Sequence, residues 1–130
     1  MKKTIAISIT SLIFMASPVF AGDFMSADEV KALISGKTTY GKGLKKDFTV
    51  VTYFAADGTM DGTRDGNSRK GKWSVKRNGK QCVEFDDGKK NCRYIKDNGD
   101  GTYSKVKVKD NGKEIPTVLW ESIKDGNTVQ

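Results

Sequence analysis

Asp-Gly and Asn-Gly pairs punctuate this chain from Asp57-Gly58 to Asp125-Gly126, and the runs between them are short and rich in β-branched and aromatic residues. Turn-forming pairs recur mostly every 8 to 14 residues, at Asp57, Asp65, Asn78, Asp87, the tandem Asn98 and Asp100, Asn111 and Asp125, while Asp61-Gly62 falls inside the run Thr59–Arg64. Asx-Gly supplies the positive-φ residues that tight hairpin turns require. One pair constrains little. Repetition at strand length restricts the chain to successive antiparallel hairpins, because parallel strands need a long crossover between them.

The runs themselves are Phe48–Phe54, Thr59–Arg64, Lys72–Lys76 after a polar loop at 65–68, Gln81–Phe85, Asn91–Ile95, Thr102–Lys109 and Ile115–Ile123. Thr38-Thr39-Tyr40 adds a candidate edge strand. The expected fold is all-β: an antiparallel up-and-down meander of seven to eight strands forming a small barrel or half-barrel, with one short N-terminal helix. Alternation places Trp73 and Val75 on one face of their strand. In Tyr103–Lys109 it predicts Val106 and Val108 inward, with Lys105, Lys107 and Lys109 outward.

The cysteines fit one turn geometry. A three-residue loop Asp86-Asp87-Gly88, with Gly88 left-handed, sets Phe85 opposite Lys89, Glu84 opposite Lys90 and Cys82 opposite Cys92. A two-residue loop would shift the register by one and put the sulfurs on opposite faces. A Cys82–Cys92 disulfide and a three-residue turn therefore imply each other.

Met1-Lys2-Lys3, the apolar run Ile5–Met15 and Val19-Phe20-Ala21 read as a secretory signal peptide over 1–21. The run is shorter than the roughly 20 residues a membrane span needs, so no spanning segment is expected after its removal. Residues 22–130 then form a single β domain in a periplasmic or secreted setting, where a cysteine pair favours a disulfide. Without Lys2 and Lys3 this part carries 21 basic against 16 acidic residues, a formal +5. Ser26-Ala27-Asp28-Glu29 is a capping box, followed by Val30, Leu33 and Ile34 at helical spacing and a left-handed stop at Gly36. A helix of about nine residues is marginal alone, so its apolar stripe must dock on the sheet or plug a barrel mouth.

No histidine is present, which excludes Ser-His-Asp and Cys-His nucleophilic systems and imidazole zinc sites. No P-loop, dinucleotide fingerprint or nucleophile elbow occurs. Most carboxylates sit in Asx-Gly turns, where the backbone accounts for them. The run Asp97-Asn98-Gly99-Asp100-Gly101 resembles a calcium loop in letters, but Val108 stands where the motif needs glutamate. No metal, cofactor or catalytic residue is expected.

Two binding surfaces remain. Lys105, Lys107 and Lys109, with Arg69, Lys70, Lys72 and Lys76 on an earlier strand, form a solvated face that could meet an anionic envelope component or an acidic protein. Nucleic acid is not expected of an exported chain. Trp73, Tyr53 and Tyr94 are the candidate aromatics for a small apolar ligand inside a barrel; otherwise they belong to the core.

Tyr53-Phe54-Ala55-Ala56-Asp57-Gly58-Thr59, Gly71-Lys72-Trp73-Ser74-Val75 and the Cys82, Cys92 pair together resemble a family of small exported bacterial proteins defined only as a domain of unknown function. Ile34-Ser35-Gly36-Lys37-Thr38 is similar to the Gly-x-Thr element that opens the family pattern. The resemblance covers roughly Leu33 to Gly112 and implies a shared fold but no activity. Lysine richness and the long strand from Thr102 depart from the pattern. The expectation is a non-enzymatic exported binding module, acting through a basic face and turn loops or holding a small apolar ligand. A small hydrolase-like enzyme using turn carboxylates is the alternative.

Overall fold

The computed structural model describes residues 24–129; the expected signal peptide lies outside the described residues. Helix α1 (Ala27–Ile34) precedes eight strands: β1 (Lys37–Gly43), β2 (Thr49–Phe54), β3 (Thr59–Arg64), β4 (Asn67–Val75), β5 (Gln81–Phe85), β6 (Lys90–Asp97), β7 (Tyr103–Val108) and β8 (Glu114–Asp125). Each strand pairs antiparallel with its sequence neighbour, and β8 returns to pair with β1. The sheet is a closed barrel.

One turn design, repeated, fixes the register. The Phe85 amide donates to the Lys89 carbonyl (2.8 Å), the Gly88 amide donates to the Phe85 carbonyl (2.8 Å), and Gly88 has φ 90°. The same pair of bonds frames the turns Ala55–Thr59, Lys76–Lys80 and Lys109–Lys113. Within these turns the side-chain oxygens of Asp57, Asn78, Asp87 and Asn111 accept the amide two residues on. The expected three-residue loop at 86–88 therefore forms: Glu84 faces Lys90, and Cys82 is disulfide-bonded to Cys92.

The polar stretch at 65–68 is not a loop. Asp65 (φ 51°) and Gly66 (φ 84°) alone make the turn, as two positive-φ residues can. Strand β4 therefore starts at Asn67, and its residues Asn67–Lys72 pair with the whole of β3. Barrel closure demands bending, and two devices provide it. Strand β8 carries an unpaired residue against each neighbour, Thr117 opposite β7 and Glu121 opposite β1. Gly62 and Gly71 let adjacent strands approach so closely that an added Cβ would meet the carbonyl oxygens of Val51 and Glu84.

Alternation sorts the walls. Phe54, Met60, Val83, Ile95 and Trp120 point inward and form the core. Lys70, Lys72, Glu84 and Lys90 stand exposed on the outer wall, with the ion pairs Lys42–Glu121 and Lys90–Glu84. Helix α1 starts with the expected capping box, Ser26 and Glu29 each accepting the other's backbone amide. Val30 and Ile34 are fully buried in the core cluster. The Gly36 amide donates to the Phe54 carbonyl and the Met25 amide to the Ile95 carbonyl (2.7 and 2.8 Å), tying the helix across one end of the barrel. That end is plugged.

Candidate functional site

At the other end the interior is hollow. A cavity of about 330 Å³ lies between the core and the loop 44–48, in the size range of small-molecule sites. Its apolar wall is Val50, Phe54, Met60, Val83 and Trp120. Its polar wall holds Arg64 at the end of β3, Arg69 near the start of β4, Arg93 on β6 and Lys105 on β7, with Lys45 and Lys46 from the loop. Among the described residues no carboxylate lines it. Asp86 and Asp87 stand just outside, in a shallow groove beside Arg69.

The strand register brings the cations together. Arg69 shares a face with Gly71 and Trp73, and Gly62 lies opposite it on β3. Arg93 is one residue from Cys92 and so faces the opposite way, into the barrel, while the disulfide lies on the outer wall. Lys105 is paired with Ile95, two residues along β6 from Arg93. Each group has neutral support. Arg64 lies 3.8 Å above the Phe48 ring and Arg69 4.0 Å above the Phe85 ring. Arg93 Nη1 donates to the Cys92 carbonyl (2.9 Å), and Lys105 Nζ sits 5.8 Å from the Trp120 ring centroid. None of the ion pairs among the described residues involves these four side chains.

The electrostatic consequence is visible in their acidity. Burial, then the positive charges of Arg93 and Arg69, push the Lys105 ammonium down to a pKa of about 8. Burial also lowers the Arg93 guanidinium. For Arg69, burial and then Arg64 act in the same direction, partly opposed by Asp87. The charged forms are thus held at a disadvantage, which an anion placed among them would remove.

These positions correct the expected site. Lys105 faces the cavity and not the outer surface; Lys107 and Lys109 remain exposed. The expected inward Val106 pairs with Tyr94, on the same outer side as the disulfide, and is buried there. Arg69, expected on the solvated face with Lys70 and Lys72, lies inside. The proposed aromatic set does not line the cavity either. Trp73 belongs to the plugged end, its indole donating to the Ala55 carbonyl (2.8 Å) and its ring edge-on to Phe54. Tyr53 alternates with inward Phe54 and faces outward. Tyr94 is stacked on Phe24 at 4.5 Å, with Lys80 over it. The aromatics that do line the site are Phe48, Phe54, Phe85 and Trp120.

Two readings of the sequence could have found the cations. If Cys82 and Cys92 share the outer wall, Arg93 must point inward, and if Trp73 points inward, so must Arg69, four residues before it. Grouping Arg69 with Lys70 and Lys72 as one solvated face hid the alternation that places it with Trp73.

The turn carboxylates are committed to the backbone. Asp57 Oδ1 accepts the amide and hydroxyl of Thr59, and Asp100 Oδ1 those of Thr102. The Thr59 amide and hydroxyl lower the Asp57 pKa, and the Thr102 hydroxyl and amide that of Asp100. Asp97 accepts the Gly99 amide (2.8 Å) in the stretch that resembles a calcium loop. No described helix is long and apolar enough to cross a membrane. Comparison with known proteins found no family model that matches the chain and no significant match to a curated protein.

Proposed function

We propose that this domain is a non-enzymatic carrier or binding module that holds a small ligand with a substantial apolar part inside its barrel. The observation that carries the reading is the cavity of about 330 Å³ floored by Phe54, Met60, Val83 and Trp120 at the unplugged end. A packed core would leave a barrel of this size only its surface to work with. The carboxylates of Asp57 and Asp100 are bound into their own turns, which favours binding over hydrolysis. The working compartment is periplasmic or extracellular; the signal-like residues 1–21 support it, and a disulfide is consistent with an oxidising environment.

Native mass spectrometry of the mature protein, purified from the compartment to which it is exported, tests the reading against the denatured mass. The expected result is additional non-covalent mass that denaturation releases. A bare protein that also fails to take up a neutral, environment-sensitive naphthylamine dye would overturn it. A partner-binding role through the outer lysines would then centre on Lys107 and Lys109, since Lys105 faces inward.

A further inference from the structure

Resting on the carrier reading, we infer that the ligand is a single-chain amphipath with a carboxylate or phosphate head, the head held by Arg69, Arg93 and Lys105 and the chain lying against Phe54, Met60 and Trp120. The division of the cavity wall requires both halves of such a molecule. A purely apolar ligand would leave a wall of cations facing hydrocarbon, which costs more than water contact does. A purely polar anion would leave the apolar floor wet.

Charge sets the sign of the head. The cavity wall carries cations and, among the described residues, no carboxylate, so a cationic head is repelled and a neutral one gains little. Donor geometry sets its class. Each guanidinium offers a planar fork of five N–H groups that matches carboxylate or phosphate oxygens in pairs. Arg93 uses one nitrogen on the Cys92 carbonyl, and Arg64 and Arg69 are held by ring faces, which leave their N–H edges free to donate. An uncharged polar group beside Arg93 is also unpaired. Gln81, directly opposite Arg93 across β5 and β6, is fully buried, and neither atom of its amide has a hydrogen-bond partner among the described residues. Buried side-chain polar atoms without a partner, donor or acceptor, are rare in folded proteins.

Depth sets the orientation. Phe54, Met60 and Trp120 abut the core sealed by α1, whereas Arg64, Lys45 and Lys46 belong to the mouth. The chain therefore enters first, and the head stays among the guanidinium groups nearer the opening.

Isothermal titration of the mature, disulfide-closed protein, stripped of lipid on a hydrophobic resin, tests this with four probes of equal chain: decanoate, decyl phosphate, decanol and decyltrimethylammonium. Either anion should bind at least about 30-fold tighter than decanol, as expected for a desolvated charge pair, and the cation should not bind measurably. Whichever anion binds more tightly identifies the head. Arg93→Gln and Lys105→Met, each checked for an unchanged circular dichroism spectrum, should lose about tenfold in anion affinity while keeping that for decanol. Should either variant misfold, Arg69→Gln supplies the same comparison. Decanol binding as tightly as decanoate would overturn the anionic head and leave the carrier reading standing. Inorganic phosphate binding as tightly as decyl phosphate would overturn the chain. Failure of all four probes would overturn the carrier reading itself.

Discussion

The two ends of the barrel are built from the same strands and the same Asx-Gly turns, yet their interiors are opposites. At the plugged end, Val30 and Ile34 of α1 meet Ile95, Trp73 and Trp120, with the Trp73 indole satisfied by the Ala55 carbonyl. At the open end, Arg64, Arg69, Arg93 and Lys105 converge with no carboxylate partner among the described residues. The first arrangement favours folding through burial of apolar surface. The second opposes it, because desolvated like charges repel. A chain selected for stability alone would gain by replacing these cations with apolar residues of similar volume. The contrast therefore teaches that the closed end sustains the fold while the open end costs stability, as the proposed binding role would require.

The largest effect that would break this division is at the plug. Ile34→Ala, deleting a fully buried side chain away from the cavity, should cost about 2–5 kcal/mol in urea unfolding. Its effect on ligand affinity should be small; a loss of binding as large as that of Arg93→Gln would show that the ends are coupled. The Cys82–Cys92 crosslink comes next. It clamps the outer side of β5 and β6, whose inner side presents Val83 and Arg93. Replacing both cysteines by alanine should cost about 2–3 kcal/mol for a loop of this length, measured by the same unfolding assay. Unchanged stability would mean that the turn alone sets the register.

The smallest effect sharpens the comparison through pH. Lys105 has a folded-state pKa depressed to about 8 from an ordinary value of 10.5. Below pH 8 both states carry its proton and the folded state bears the full disadvantage. Between about 8 and 10.5 the unfolded chain binds more protons than the folded one, so stability from this group rises with pH. Lys105→Met should flatten that rise and stabilise the domain at pH 7. A bound anion should favour the protonated lysine, so affinity should fall as pH passes 8 in the native protein and not in the variant. An identical pH profile in both would remove Lys105 from the site.

Much of the fold was legible because hairpin turns are local. Asp86-Asp87-Gly88 and the two cysteines determine one register between them, and the strand runs at Thr59–Arg64 and Gln81–Phe85 need no tertiary information. Whether the meander closes depends on β8 meeting β1, and that depends on bulges at Thr117 and Glu121, which leave no mark on composition. The site was hidden for a different reason. Reading a strand face from its apolar residues assumes that the interior is apolar. That assumption holds for Trp73 and fails for Arg69 on the same strand face, and it reverses the reading of Lys105 and Val106.

The seam between β1 and β8 has a kinetic meaning. Every other pairing joins consecutive strands and can form as a local hairpin, whereas contacts along this seam, such as the Thr38 hydroxyl on the Gly126 carbonyl, span 88 residues. Closing it carries the largest loop entropy in the molecule, so it is the step that contact order makes slowest. Until it closes, the nascent sheet has two bare edges of complementary register, and at high concentration a second chain can zip onto either. Dilution during refolding should therefore favour the monomer, with domain-swapped dimers as the competing product.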